Sequence, residues 1–372
     1  MPLREHKRYK DWFNEEAAQA WARQVSSVYS QFDSELFVRI VTRGLGRLEF
    51  KQRVLRFARA LRETLPQDIP DAMGVLVECF PEPLPDCDSP NDGWLQWPAG
   101  EFIALYGLEH PEDSLEAMEV LTQVFTAEFA VRPFVARYPE QTLAHLLSLV
   151  EHPSPHVRRW CSEGLRPRLP WGRVLRHLVE DPGPIFPVLE TLKDDPELYV
   201  RRSVANNLND ISKDHPELLL DLCRQWLKGA SEERRWVIKH ALRTLTRQGH
   251  PGALALQGFG PVGRSIGVAL ELSSRTLVMG EEIVLTATLS NSGKKALRLQ
   301  LDYVLHLVRR RGKMNEKVFK WKSLELGPGE ALKLTRNHRL EPNTQRRLYP
   351  GTHAVEVQLN GERFGRSEFH LF

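Results

Sequence analysis

Three pairs of adjacent arginines, Arg158-Arg159, Arg201-Arg202 and Arg234-Arg235, stand 43 and 33 residues apart and bring their surroundings into register. HPSPHVRRWCSEGLRPRL, DPELYVRRSVANNLNDI and SEERRWVIKHALRTLTRQ each open on a turn containing Pro or Ser and continue at helical spacing. In the first two, Val157, Trp160, Cys161 and Leu165, then Val200, Val204 and Leu208, form one apolar stripe. A period of this length is that of a two-helix repeat, and no such repeat covers its own stripe. Neighbouring repeats must therefore stack on one another.

The remainder of the chain fits a mainly α protein, a HEAT-like helical repeat solenoid followed by an immunoglobulin-like β-sandwich. Residues 14–80 carry helical spacing in EEAAQAWARQVSSVY, SELFVRIVTRGL and EFKQRVLRFARALRETL, punctuated by Pro66 and Pro70. The proline-rich stretch 81–100 is expected to be an irregular loop, with helix resuming at Glu101. After Gly249 the pattern changes. HPGALALQGFGPVG predicts a linker over 251–265, and from Ile266 alternating segments between Gly, Asn and Pro turns predict about seven strands. The expected division is a helical domain over 1–250 and a sandwich over 266–372.

At 372 residues the chain can bury two cores. The charged opening MPLREHKRYKDWFNEE is no secretory leader, and no apolar run approaches the length of a membrane span. A cytoplasmic, monomeric protein is expected. Cys79, Cys87, Cys161 and Cys223 match no zinc spacing and no disulfide framework, so reduced, mostly buried thiols are expected. Net charge is only +3, yet residues 1–150 hold 15 Lys/Arg against 23 Asp/Glu, 151–249 hold 17 against 14, and 265–372 hold 18 against 11. The later segments can supply the local basic surface that phosphate binding needs, whatever the total charge.

Residues in register across stacked repeats converge on one face. Arg159, Arg202 and Arg235 form one row, and Glu163, Asn206 and Lys239, one turn later, form a second, with Asp210 a further turn on. The face is mostly cationic. Arg158, Arg201 and Arg234 either join it or cap the preceding helix. A carboxylate facing phosphate weakens binding and needs another justification, which cleavage of a glycosidic bond supplies. Departure of the base leaves positive charge on the sugar, and a nearby carboxylate stabilises that charge and orients water. A base that is already cationic needs no general acid, and aromatic rings attract it. Trp94, Trp97, Trp160 and Trp171 are the rings by type. Trp160 lies on the apolar stripe and reads as core, whereas Trp171, in RPRLPWG, is harder to bury.

The blocks LGRLEFKQRVLRFARALRETLP, GWLQWPAGEFIALYG, FTAEFAVRPFVARYP, HPSPHVRRWCSEGLRPRLPWG and DPELYVRRSVANNLNDISKDHP resemble the AlkC family of DNA-alkylation-repair glycosylases, relatives of the AlkD family, over nearly the whole helical region. The trailing sandwich resembles the extension of one AlkC subgroup. The resemblance implies a monofunctional N-glycosylase that removes 3-methyladenine and 3-methylcytosine from double-stranded DNA, with no cofactor or metal and without a deep base pocket. It further implies Glu128, Glu163 and Asp210 as catalytic carboxylates, Trp171 packed at the lesion, and Arg159 holding a flanking phosphate or Glu163. Glu128 is reached through the resemblance only. Arg158, Arg166, Arg201, Arg202, Asn206, Arg235 and Lys239 are the further side chains expected to meet DNA.

In the sandwich, Arg309, Arg310, Arg311 and Lys313, followed by Lys317, Lys320 and Lys322, surround an expected hairpin. A basic hairpin is either a solvated edge that discourages strand pairing or a clamp on phosphates. Arg346-Arg347 is a second basic pair. The reading from another class is a non-catalytic repeat scaffold that binds nucleic acid or protein through the same face. A metal-dependent hydrolase is disfavoured, because His152 and His156 flank prolines in a turn and no carboxylate and histidine cluster has ligand spacing.

Overall fold

The computed structural model describes residues 8–85, 93–310, 312–341 and 347–372. They pack as two compact units, Met1–Asp214 with Ser231–His240, and His215–Ala230 with Ala241–Phe372.

The first unit is helical. Its early helices begin where the sequence supplies an acceptor for the free N–H groups of a first turn. The Asn14 side chain accepts from Ala17 N at 2.9 Å before Glu15–Ser26, and Asp33 accepts from Leu36 N at 2.8 Å before Ser34–Thr42. Glu49 and Gln52 form a reciprocal capping box before Phe50–Thr64. The expectation of an irregular loop to residue 100 is corrected here, because a helix runs Trp97–Tyr106, directly after the short 3₁₀ turn Trp94–Gln96. Pro98 sits in the first turn, where its missing N–H costs nothing. Gly93 makes the entry possible: its φ is +78°, and a Cβ there would lie 1.8 Å from Val124 O.

The arginine-aligned segments form the helices Pro155–Glu163, Leu198–Ile211 and Glu232–Ala241. Val157, Trp160, Cys161, Leu165, Val200, Val204 and Leu208 are all fully buried, as the stripe requires. The first arginine in each of the first two pairs works on the backbone. Arg158 Nη1 donates to His152 O and Pro153 O, each at 2.9 Å, and Arg201 Nη1 donates to Asp195 O at 2.6 Å and Pro196 O at 2.8 Å. Each side chain thus closes the turn before its own helix. Arg158 also reaches the turn of the next repeat, pairing two-pronged with buried Asp195 at 2.6 and 3.1 Å, and Arg234 pairs with Asp194.

The second unit holds the helices Pro216–Trp226, Arg243–Gln248 and Pro251–Leu256 besides the strands. The last of these corrects the linker expectation. Pro251 at its first turn and buried Ala253 and Leu254 make the Gly/Pro-rich stretch a helix. The strands are β1 (Ile266–Leu272), β2 (Thr276–Leu277), β3 (Glu282–Asn291), β4 (Leu297–Val308), β5 (Met314–Leu326), β6 (Ala331–Arg339), β7 (Gly351–Leu359) and β8 (Glu362–Leu371). One sheet has the order β1-β3-β6 and the other β2-β8-β7-β4-β5, with only β2 and β8 parallel. Ile283, Leu285, Ala287 and Leu289 on β3 meet Leu299, Leu301, Tyr303 and Leu305 on β4 in the core, the period-two alternation expected of a sandwich. Close approach of Gly249 and Gly361 requires glycine at both positions, since a Cβ on either would lie within 2.6 Å of the other's backbone.

Cys79, Cys161 and Cys223 are free and buried, and burial pushes the Cys79 and Cys223 thiols up to about 12. Cys87 lies outside the described residues. No helix is long and apolar enough to cross a membrane among the described residues.

Candidate active site

Glu128, Glu163 and Asp210 come from three places in the chain and meet in one chain of ion pairs within the helical unit. Glu163 ends the helix Pro155–Glu163, Asp210 lies near the end of Leu198–Ile211, and Glu128 sits in the turn before Arg132–Arg137. Arg159 joins the first two: its Nη2 donates to Glu128 Oε2 at 2.6 Å and lies 3.6 Å from Glu163 Oε1. Arg166 joins the last two, donating to Glu163 Oε1 at 2.7 Å and Asp210 Oδ2 at 2.9 Å. Ser203 donates to Glu163 Oε2 at 2.6 Å, and Lys213 to Asp210 Oδ1 at 2.8 Å. Thr126 Oγ1 completes the other end, 2.9 Å from both Arg159 Nη1 and Glu128 Oε2.

All three carboxylates are buried, so their charge must be balanced locally. Burial pushes the Glu163 carboxyl up, but Arg159, Arg166 and the Ser203 hydroxyl outweigh it and hold the group below the ordinary carboxylate range. Burial works against the Arg159 cation, yet Glu128 and Glu163 hold it more firmly protonated than a free arginine. Arg159 also lies over the Tyr199 ring, at 5.2 Å from its centroid. Both oxygens of Glu163 and of Asp210 are engaged. Glu128 keeps Oε1 without a hydrogen-bond partner among the described residues.

Trp171 stands on the turn after the Glu163 helix, a turn that Arg132 ties to Gly164 at that helix's end. It is 58% exposed and has a φ of +66°. A bulky residue in the left-handed region costs about 1–3 kcal/mol and persists only where its surroundings hold it. Phe50 connects Trp171 to an aromatic wall: their ring centroids are 6.4 Å apart, Phe50 lies 5.6 Å from Trp94 and 5.2 Å from Trp97, and Trp97 stacks on Phe129 at 5.0 Å. A cleft of about 280 Å³ lies between Trp97, Phe129, Trp171 and Glu101. Burial raises the Glu101 carboxyl, with Lys51 opposing.

The expected DNA-facing cations separate into two groups. Arg158 places its guanidinium on turn carbonyls and the Asp195 carboxylate, and Arg201 places Nη1 on the carbonyls of Asp195 and Pro196, so both help close the fold. Arg166 is likewise buried between two carboxylates and is not a surface cation. Arg202, Arg235 and Lys239 are exposed, and Asn206 is half-buried. In the sandwich the expected hairpin is present, closed by Arg309 N on Lys313 O at 2.7 Å between β4 and the edge strand β5. Arg309, Arg310 and Lys313 are exposed there. Arg311 and Arg346 lie outside the described residues.

A solved structure described as Pseudomonas fluorescens alkylpurine DNA glycosylase AlkC bound to DNA containing an abasic site analog matches with a TM-score of 0.91 and 35% identity, over 98% of this chain and all of that one. The chain belongs to the AlkC family. The Bacillus subtilis (strain 168) protein named Uncharacterized protein YhaZ is 37% identical over 354 residues, covering 95% of this chain and 96% of that protein. Residues 267–372 match the family described as Uncharacterised protein YhaZ, C-terminal Ig-like domain. The AlkC fold therefore extends through both the helical region and the sandwich.

Within this AlkC fold the residues that repeat register brings out, Arg159, Glu163 and Asp210, are together. Register missed Glu128, Thr126, Arg132 and Ser203. Glu128 and Arg132 stand in and just after FTAEFAV, a segment with no arginine pair to align it, and Ser203 looks like any small residue on an apolar helix. A sequence signal existed for one of them: Ser203 follows Arg202 directly, so it belongs to the same aligned helix as the pair. Among the described residues no group of three or more His, Cys, Asp or Glu side chains is arranged to hold a metal ion.

Proposed function

We propose that this protein is a DNA glycosylase that excises cationic alkylated bases, 3-methyladenine and 3-methylcytosine, from double-stranded DNA in base excision repair. The observation that carries the reading is the union of Glu128, Glu163 and Asp210 in one chain of ion pairs, in a chain 35% identical to a protein described as an alkylpurine DNA glycosylase.

The chemistry follows from charge. Breaking the bond between sugar and base leaves an oxocarbenium-like carbon, and a carboxylate held ionised in a dry site stabilises it without reorganising. Glu128, whose Oε1 is unengaged, is the carboxylate poised to face that carbon and orient the attacking water. Glu163 helps fix Arg159, which holds Glu128, Asp210 fixes Arg166, which holds Glu163, and both carboxylates add negative potential of their own. A base that already carries positive charge leaves without a general acid, which agrees with a site whose nearest cations, Arg159, Arg166 and Lys213, are tied up in ion pairs. Trp171 packs against the lesion, so the base need not enter a deep pocket. The enzyme acts as a cytoplasmic monomer, on DNA of the nucleoid, and uses no cofactor.

A duplex oligonucleotide with one 3-methylcytosine, treated with excess enzyme and then alkali, is expected to break at the lesion. No strand break would overturn the reading. Tight, salt-sensitive DNA binding without base release would instead favour a non-catalytic scaffold.

A further inference from the structure

We propose that Arg132 and Lys51 are positioning residues that clamp the backbone at Trp171 and two residues after it, and so fix its ring relative to the carboxylates. The clamp rests on the glycosylase reading only for its purpose, because its geometry is independent of any substrate. Lys51 Nζ donates to Trp171 O at 2.7 Å, and Arg132 Nε donates to Arg173 O at 2.5 Å. The same guanidinium sends Nη1 to Gly164 O at 3.1 Å. One side chain thereby ties the turn bearing Trp171 to the end of the Glu163 helix, and its own helix begins four residues after Glu128. Both anchors come from other parts of the chain, the Phe50–Thr64 helix and the Arg132–Arg137 helix.

Three further observations agree. Arg132 is 1% exposed, and its Nη2 finds no hydrogen-bond partner among the described residues. A buried cation with an unmet donor is costly, and a fold held only for stability would gain from an apolar side chain of the same volume. The turn is also built around it: a Cβ on Gly172 would lie 3.1 Å from both Cδ and Nε of Arg132. Finally, Trp171 keeps its left-handed backbone although its ring is mostly exposed and meets the aromatic wall at its Phe50 edge, so the backbone tethers carry a share of the hold.

Lys51 is exposed, so Lys51→Met leaves the core intact and tests the clamp without risk to folding. Hydrogen exchange at residues 168–174 is expected to accelerate about tenfold in Lys51→Met and more in Arg132→Met. Single-turnover excision of 3-methylcytosine should slow by about ten- to a hundredfold. Affinity for a duplex carrying an abasic-site analogue should stay within about threefold of wild type, and Lys51→Arg, which keeps a donor, should recover most of the rate. Unchanged exchange in Lys51→Met overturns the clamp. Faster exchange with an unchanged rate overturns its role in positioning. If the wild-type protein excises no base, the functional reading fails while exchange still judges the clamp.

Discussion

Each buried carboxylate of the acid cluster has a different environment, and the environment sets the expected phenotype. Glu128→Gln removes charge where an oxygen is unengaged, and Glu163→Gln removes it where both oxygens are bound. Single-turnover excision should fall at least about a hundredfold in each, with affinity for abasic DNA kept within a few-fold. Loss of binding in step with activity would mark the residue as structural. Because Glu163 is held below the ordinary value of 4.5, the folded form binds fewer protons there than the unfolded chain. Its contribution is therefore full above that value and is lost as pH falls through the folded pKa. Acid titration followed by circular dichroism should show Glu163→Gln losing less stability than wild type below pH 4.5. Glu101 has the opposite sign. Its carboxyl is raised by burial, so ionising it opposes folding, and Glu101→Gln should raise the melting temperature at pH 8 more than at pH 4.

At the level of elements, the arginine pairs divide their labour by position on the helix. In the first two pairs the first member reaches back to the turn before its own helix, and the second projects one residue further round. Spacing makes both equally visible as charge, but only the packed turns decide which charge is consumed. Asp195 receives Arg158 on its carboxylate and Arg201 on its carbonyl, and it is buried. Asp195→Ala removes the carboxylate partner of half-buried Arg158, which keeps its turn carbonyls, and urea unfolding should report a loss of about 2 kcal/mol. Arg202→Ala, at an exposed position, should leave stability within about 0.5 kcal/mol. If the two substitutions cost the same, the inter-turn pairing is not what joins the repeats. The helix Trp97–Tyr106 carries a similar lesson. A proline-rich approach reads as loop, yet a proline in the first turn and a left-handed glycine before it start a helix.

For the molecule as a whole, DNA binding divides into a part set by charge and a part set by the site. Replacing Arg309, Arg310 and Lys313 together by alanine removes three exposed charges from the hairpin of the sandwich. If the hairpin touches phosphates, the slope of log affinity against log salt should become shallower by up to about 2.7, at about 0.9 per contact. Folding should be unaffected, since those side chains cover no core. An unchanged slope would leave the run as protection for the edge strand β5.

The sequence by itself determined most element types, though not the helices Trp97–Tyr106 and Pro251–Leu256, and it determined the two-helix repeat, the sandwich and the membership of Arg159, Glu163 and Asp210 in one register. These follow from periodicity, because apolar spacing of 3.6 or 2 residues is a local property that any fold must respect. It also carried, through blocks of family likeness, Glu128 and Trp171. Only the tertiary structure decided which arginines remain exposed, that Glu128 joins the cluster through Arg159 and Thr126, and that Arg132 lies buried beneath the Trp171 turn. Those outcomes depend on contacts across 30 to 45 positions of chain, such as Arg159 with Glu128 and Arg166 with Asp210. The competition between a solvated cation and a buried pair is settled by packing, and spacing along the chain holds no record of it.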